Sequence, residues 1–368
     1  MIDNRLKKLT KILINHSLEI KKNDLFMISG GIKAAPLIKE VFEQSLEIGA
    51  NPFIRTGFEG LAEIFFKKAS DMQLKFVSPI SKLEVQKIDA KLAILSPENT
   101  RNMTNINPKK QSISSIAQQP IQDIFLKRAA NKELRWCITQ YPTQASAQDA
   151  EMSLLEYEDF IFNASHVTSK NPIEYWKKIY NEQEKIKKLL EKKKKLHIFA
   201  KNTDLTIKVE NRKWINCYGR ENFPDGEIFT GPIENSAEGH VTYSYPAVYG
   251  SRLIEDINLW FKKGKIIKSK ASKGENYLKT MIKMDKGSQR IGEFAFGTNY
   301  GIKKFTKNTL FDEKIGGTIH IAIGLGFPET GSKNKSSLHW DMVCDLRKKG
   351  EVYADNELIY KNGNFLLQ

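Results

Sequence analysis

The sequence is short of cysteine, of long apolar runs and of familiar catalytic signatures, and each shortage removes a class of function. Its three cysteines, Cys137, Cys217 and Cys344, lie far apart and without Cys-x-x-Cys spacing. That argues against a disulfide framework or a paired-thiolate zinc site and fits a reducing, cytoplasmic setting. Nothing approaches the ~20 apolar residues of a membrane span, and the opening MIDNRLKKLTKIL has no signal-peptide core. GxSxG and HExxH are absent, and no cysteine stands in a recognisable Cys–His setting. A serine-hydrolase elbow, thiol catalysis and a zincin are thereby set aside. Gly30–Gly31 follows a strand-like segment but lacks the rest of GxGxxG, so it reads as ordinary α/β punctuation and not as a dinucleotide site.

What is present is a globular composition. The 368 residues are 40% hydrophobic and 27% charged, with 5 Trp and 20 Phe, which supports packed cores and favours two domains over one. A net charge of +15 raises the question of a nucleic-acid partner. Much of the excess, however, lies in 174–195, EYWKKIYNEQEKIKKLLEKKKK, where Trp176, Ile179, Tyr180, Ile186, Leu189 and Leu190 make one apolar stripe. The lysines then solvate the other face of an amphipathic helix, and Lys lacks the bidentate geometry with which Arg reads phosphate. No nucleic-acid surface is expected.

The spacing of apolar residues predicts helices over 4–20 and 33–50, the second ending at Gly49, and strands over 24–31, 51–56, 89–97 and 133–142. Such alternation points to a parallel or mixed α/β sheet. Ser153 and Glu156 have capping-box spacing ahead of an apolar stretch. From Leu196 onward the texture changes to short strands and turns, with a hairpin on KKGK and a helix over 274–286. The reading is an α/β domain over 1–195 that ends in the basic helix, followed by a β-rich α+β domain over 196–368.

Metal-grade ligands are concentrated in that second half. In LHWDMV, His339 and Asp341 are two apart, so on a strand an imidazole and a carboxylate share one face inside an apolar setting. In GGTIHIAIGLGF, His320 shares its strand face with Thr318, Ala322 and Gly324, small neighbours that leave room for an ion. Glu293 in IGEFAFG and Glu227 in PDGEIFTGP stand beside glycines and near aromatics, and Glu313 enters seven residues before His320. Several carboxylates, one able to bridge, with two imidazoles are what a hydrolase needs to clamp two divalent ions. His16, His166 and His197 read as structural or exposed, whereas His240 could line a cleft.

At these segments the chain resembles the aminopeptidase T/aminopeptidase S family of metalloaminopeptidases. The resemblance rests on FPDGEIFTGPIENSAEGH, RIGEFAFGTN, DEKIGGTIHIAIG, FPETGSKNKSSLHWDMVCDLR and VYADNELIYKNG, with RWCITQYPTQASAQDAEMSLLEYEDFIF in the first half. It implies an aminopeptidase with two divalent ions, zinc or cobalt, magnesium and manganese being the alternatives. It implies ligands Glu227, Glu293, His320, His339 and Asp341, with Glu293 the candidate bridge and Glu313 either a ligand or the general base. Peptide substrates and a homodimer are implied too. One departure stands out: the family's usual Tyr seven residues after the histidine is Phe327 here, at a position expected to be catalytic. A phenyl ring donates no hydrogen bond, so Tyr243, Tyr245 or Tyr300 substitutes, or the metals alone polarise the carbonyl, or the activity is weakened. The rival readings are a non-catalytic binder of peptide or RNA, and a carboxypeptidase anchored by Arg220, Arg252 or Arg290.

Overall fold

The computed structural model describes residues 3–366, and contacts divide the chain into Met1–Ile173 with Gly219–Pro224 and Glu174–Tyr218 with Asp225–Gln368. The first unit is built on a five-stranded, wholly parallel sheet in the order Asn51–Gly57, Leu25–Gly31, Ala90–Leu95, Arg135–Gln140, Asn222–Phe223. Its inner strands Leu25–Gly31 and Ala90–Leu95 supply the apolar core: Phe26, Ile28, Leu92 and Ile94 are buried, as are Leu37, Ile38 and Val41 of the helix Ala35–Ile48. That helix stops where Gly49 takes a left-handed φ of 85°, a conformation that favours glycine. The predicted capping box forms: Ser153 Oγ accepts from the Glu156 amide, and the Glu156 carboxylate accepts from the Ser153 amide.

The second unit packs two antiparallel sheets on one shared core. One has eight strands and carries the hairpin Asn258–Lys262/Lys265–Lys270 at its edge. The other runs His339–Asp345, Thr318–Gly324, Ile291–Gly297, Glu227–Thr230, Ile215–Cys217. Leu196, Ile198, Leu205 and Val241 from the first sheet meet Phe294, Phe296, Ile319, Ile321 and Trp340 from the second. Sequence texture places the domain boundary near 195 and leaves the basic helix with the first half. The helix Pro172–Leu190 instead falls almost wholly in the second unit, because Ile186 and Leu190 belong to that unit's core.

The five-stranded antiparallel sheet explains the ligand pattern. Side chains alternate, so Phe294, Phe296, Ile319, Ile321, Ile323, Trp340 and Met342 enter the apolar core, and the intervening positions occupy the opposite face. There Asp341, Ala322 and Glu293 pair in one row across three strands, and His320 lies in the next row between Val343 and Ala295. Ile291 and Glu293 would share a face in a regular strand. A bulge between them turns Ile291 into the core and Glu293 onto the ligand face. Gly292 sits at that bulge, where a Cβ would collide with the carbonyl oxygens of Leu325 and Gly324. Gly292→Ala is therefore expected to cost about 1–3 kcal/mol, read as a lower urea midpoint. An unchanged midpoint would show that the bulge tolerates a side chain.

Candidate metal centre

The unit brings together every ligand candidate read from the sequence. Three overlapping groups of donor atoms, each spanning no more than 4.8 Å, are Glu227–Glu293–His320, Glu293–His339–Asp341 and Glu313–His320–Asp341. His320 Nε2 is 3.2 Å from Glu227 Oε2 and 3.5 Å from Glu293 Oε1. His339 Nε2 is 3.3 Å from both Glu293 Oε2 and Asp341 Oδ2. Glu293 thus spans the two imidazoles, one carboxylate oxygen toward each.

Both rings are aimed from behind. His320 Nδ1 is 2.8 Å from the Glu313 carbonyl and His339 Nδ1 is 2.9 Å from the Leu325 carbonyl. A carbonyl oxygen only accepts, so each Nδ1 carries the proton and donates. Nε2 of each ring is thereby turned inward, the arrangement that a metal-binding histidine commonly shows.

The centre carries the signs of a site built for cations. Glu227 Oε2, His320 Nε2 and Asp341 Oδ1 are buried without a hydrogen bond, a costly state unless something satisfies them. Burial alone would pull the imidazole of His320 down. The surrounding Glu293, Glu227 and Asp341 more than offset it, and the group is raised to about 9. His339 is likewise raised well above the usual imidazole value, burial being outweighed by Asp341 and Glu293. Asp341 is held down at about 2 against its burial, chiefly by His339. Glu313 goes the other way, to about 8, because burial and the charges of Asp341 and Glu227 outweigh the pull of Lys314. Protons on two imidazoles thus balance the carboxylates, and a divalent ion that displaced them would meet a donor set that suits it. The residues present fit such an ion.

Two members escaped the sequence reading. Lys314 is fully buried, with Nζ 2.6 Å from Glu227 Oε1, 2.6 Å from Glu313 Oε1 and 3.7 Å from Asp225 Oδ1. Burial would lower its pKa, but the three carboxylates hold it well above the ordinary lysine value. Asp225 is itself buried, and with Cys217 and Glu227 it forms a fourth compact donor group. A lysine in so lysine-rich a chain gives no signal of its own. Its setting in DEKIGG, between a candidate ligand and an apolar strand, was the available clue.

The other candidates sort clearly. Phe327 lies at the centre's edge, its ring 5.1 Å from that of His339 and 5.3 Å from that of Phe229. Tyr300 donates its hydroxyl to the Gly363 carbonyl, and Tyr245 is held between Asp345 and Arg347. The Tyr243 hydroxyl is buried without a hydrogen bond. His240 stacks on Trp260 of the eight-stranded sheet and joins none of the donor groups. Arg290 donates to the Glu234 carbonyl, Arg252 lies over the Tyr277 ring, and Arg220 serves the His16 carbonyl and Glu19. Each guanidinium is thus engaged elsewhere. Beside Glu313 and Asp341 opens a small, solvent-open cleft, with Ala247, Val248, Phe305 and Met342 in its wall.

Comparisons with known proteins place the whole chain. The family described as "Thermophilic metalloprotease (M29)" matches residues 2–365. The chain belongs to this family. Among curated relatives, aminopeptidase AmpS of Bacillus subtilis is 33% identical over 56% of this chain and 58% of its own length. Aminopeptidase 2 of Geobacillus stearothermophilus is 24% identical over 100% of this chain and 98% of its own. Aminopeptidase T of Thermus thermophilus is 26% identical, covering 88% and 85%. The solved structure of wild-type AmpT from Thermus thermophilus superimposes with a TM-score of 0.86 at 22% identity, covering 100% of both chains, which shows a shared fold. The chain is a metal-dependent aminopeptidase, a hydrolase of the M29 family. No described helix is long and apolar enough to cross a membrane.

The loop that delivers His339 is pinned by charge. Asp285 accepts the amides of Gly287, Ser288 and Ser337 and the hydroxyl of Ser336. Burial would raise its carboxyl, but these bonds outweigh it and hold the pKa below the usual carboxylate value. A depressed folded-state pKa contributes stability above the unfolded value and loses it as pH falls through the folded one. Stability measured by urea unfolding should therefore drop in acid below about pH 4, and Asp285→Asn should flatten that part of the decline. Identical pH profiles for the two proteins would contradict this role.

Proposed function

We propose that the centre holds two divalent ions and that the chain releases N-terminal residues from peptides. The observation that carries this reading is the double engagement of Glu293, which links the Glu227–His320 pair to the His339–Asp341 pair. Two donor groups sharing one carboxylate are what a pair of ions with one bridge requires. Imidazole with carboxylate oxygens suits zinc or cobalt, and magnesium or manganese would leave the histidines poorly used. Such ions, when bound, polarise a carbonyl and lower the pKa of water.

The chain's own residues do the rest. Glu227, Glu293, His320, His339 and Asp341 are the ligands. Glu313, close to the His320 and Asp341 donors, is either a further ligand or the base that takes the proton of the attacking water and passes it to the leaving amine. The cleft beside Glu313 and Asp341 has an apolar wall and receives the substrate end, where a carboxylate can hold the free α-amine. The carboxypeptidase alternative needs an Arg anchor, and the three arginines considered for it are committed elsewhere. Phe327 packs edge-on against the His339 ring at the rim and offers no hydrogen bond.

Metal-loaded protein should release product from leucyl- or alanyl-p-nitroanilide in zinc or cobalt; inactivity on a panel of these and on dipeptides would sink the assignment. Element analysis should give two ions per chain. Glu293→Gln should lose both, and Asp341→Asn chiefly one. Equal loss in the two variants would remove Glu293 as the bridge. Phe327→Tyr should raise kcat by up to about 10²–10³ if a donor at this edge is what turnover lacks; no change would show that the missing hydroxyl does not limit turnover.

A further inference from the structure

Five carboxylates converge here: Asp225, Glu227, Glu293, Glu313 and Asp341. With all five ionised, two divalent ions would leave one negative charge unmatched, and the ammonium of Lys314 would supply the balance. Its position is as telling as its charge. Asp225 and Glu227, to which Nζ is directed at 3.7 and 2.6 Å, form with Cys217 a buried group whose donors lie within 4.8 Å of one another. A thiol and two carboxylates are a donor set fit for a divalent ion of the zinc or cobalt type. Lys314 also takes Oε1 of Glu227, which leaves Oε2, the atom near His320, as the one facing the centre.

We propose that Lys314 is the resident cation of a latent third metal site: its ammonium shuts the Cys217–Asp225–Glu227 group to divalent ions and limits Glu227 to one oxygen toward the two-ion centre. The inference rests on the two-ion reading above. Removing the ammonium opens the site. A divalent ion then binds Asp225, Glu227 and the Cys217 sulfur, the thiol proton leaves to solvent, and the lost positive charge is replaced.

The test is Lys314→Met in the full chain, which keeps the apolar stem and deletes the charge, loaded with Co²⁺ and desalted. The variant should hold one more ion per chain than wild type and show a thiolate-to-cobalt charge-transfer band absent from wild type. Cys217→Ser in the same background should abolish the band. Lys314→Arg, which keeps the charge, should match wild type in both readouts. A folded Met variant with the wild-type ion count and no band overturns the proposal, and so does an Arg variant that gains the ion. A Met variant that folds only with Co²⁺ present supports it; one that stays unfolded in excess Co²⁺ shows that the ion cannot replace the ammonium and overturns it. If wild type itself binds no ion, the two-ion reading fails. If wild type binds two and the Met variant also binds two, only the role of Lys314 fails.

Discussion

Charge removed from water has to be answered in place, and this constraint governs the second unit. Carboxylates cannot be left buried singly without a cost of several kcal/mol each, yet five of them share one small volume beside two imidazoles and an ammonium. Protons on the histidines and the charge on Lys314 supply part of the answer. The unsatisfied atoms on Glu227, His320 and Asp341 mark the part left for ions. A sheet able to keep such a group dry must be well sealed on its other side, and the aromatic and isoleucine layer of Phe294, Phe296, Ile319, Ile321 and Trp340 does that.

The same strands therefore perform two incompatible jobs by alternation. Odd and even positions divide between oil and charge, and one bulge at Gly292 shifts the parity so that Ile291 enters the core while Glu293 keeps the opposite face. Small residues do the spacing. Ala322 stands between Asp341 and Glu293 in the pairing row, and Ala295 beside His320, so the long ligands lean inward without meeting a rival side chain.

Much of this was legible in the sequence because period-two alternation leaves a direct trace: HxD, TIHIAIG and GEFAFG each declare a face. The strands Leu25–Gly31 and Arg135–Gln140 and the helix Ala35–Ile48 were equally plain, being apolar runs closed by glycine or turn residues. The helix Pro108–Ala130 was not, since none of its side chains is buried and its apolar residues form no stripe. Nor was the last strand of the parallel sheet, two residues long and separated from its neighbour by a stretch that belongs to the second unit. Lys314 was invisible for another reason: its partners Asp225 and Glu227 lie almost ninety positions away in sequence, and only tertiary packing joins them.

Both imidazoles lean on main-chain carbonyls, those of Glu313 and Leu325. A carbonyl belongs to every residue type, so the aim of the rings survives drift at those two positions provided the backbone path is kept. Glu313 is the instructive case, since its carboxyl group clusters with the His320 and Asp341 donors while its peptide oxygen steadies His320. Selection can therefore alter the chemistry offered by that side chain, toward a ligand, a base or neither, without loosening the imidazole beside it. Evolvability at this centre is a property of the peptide bond.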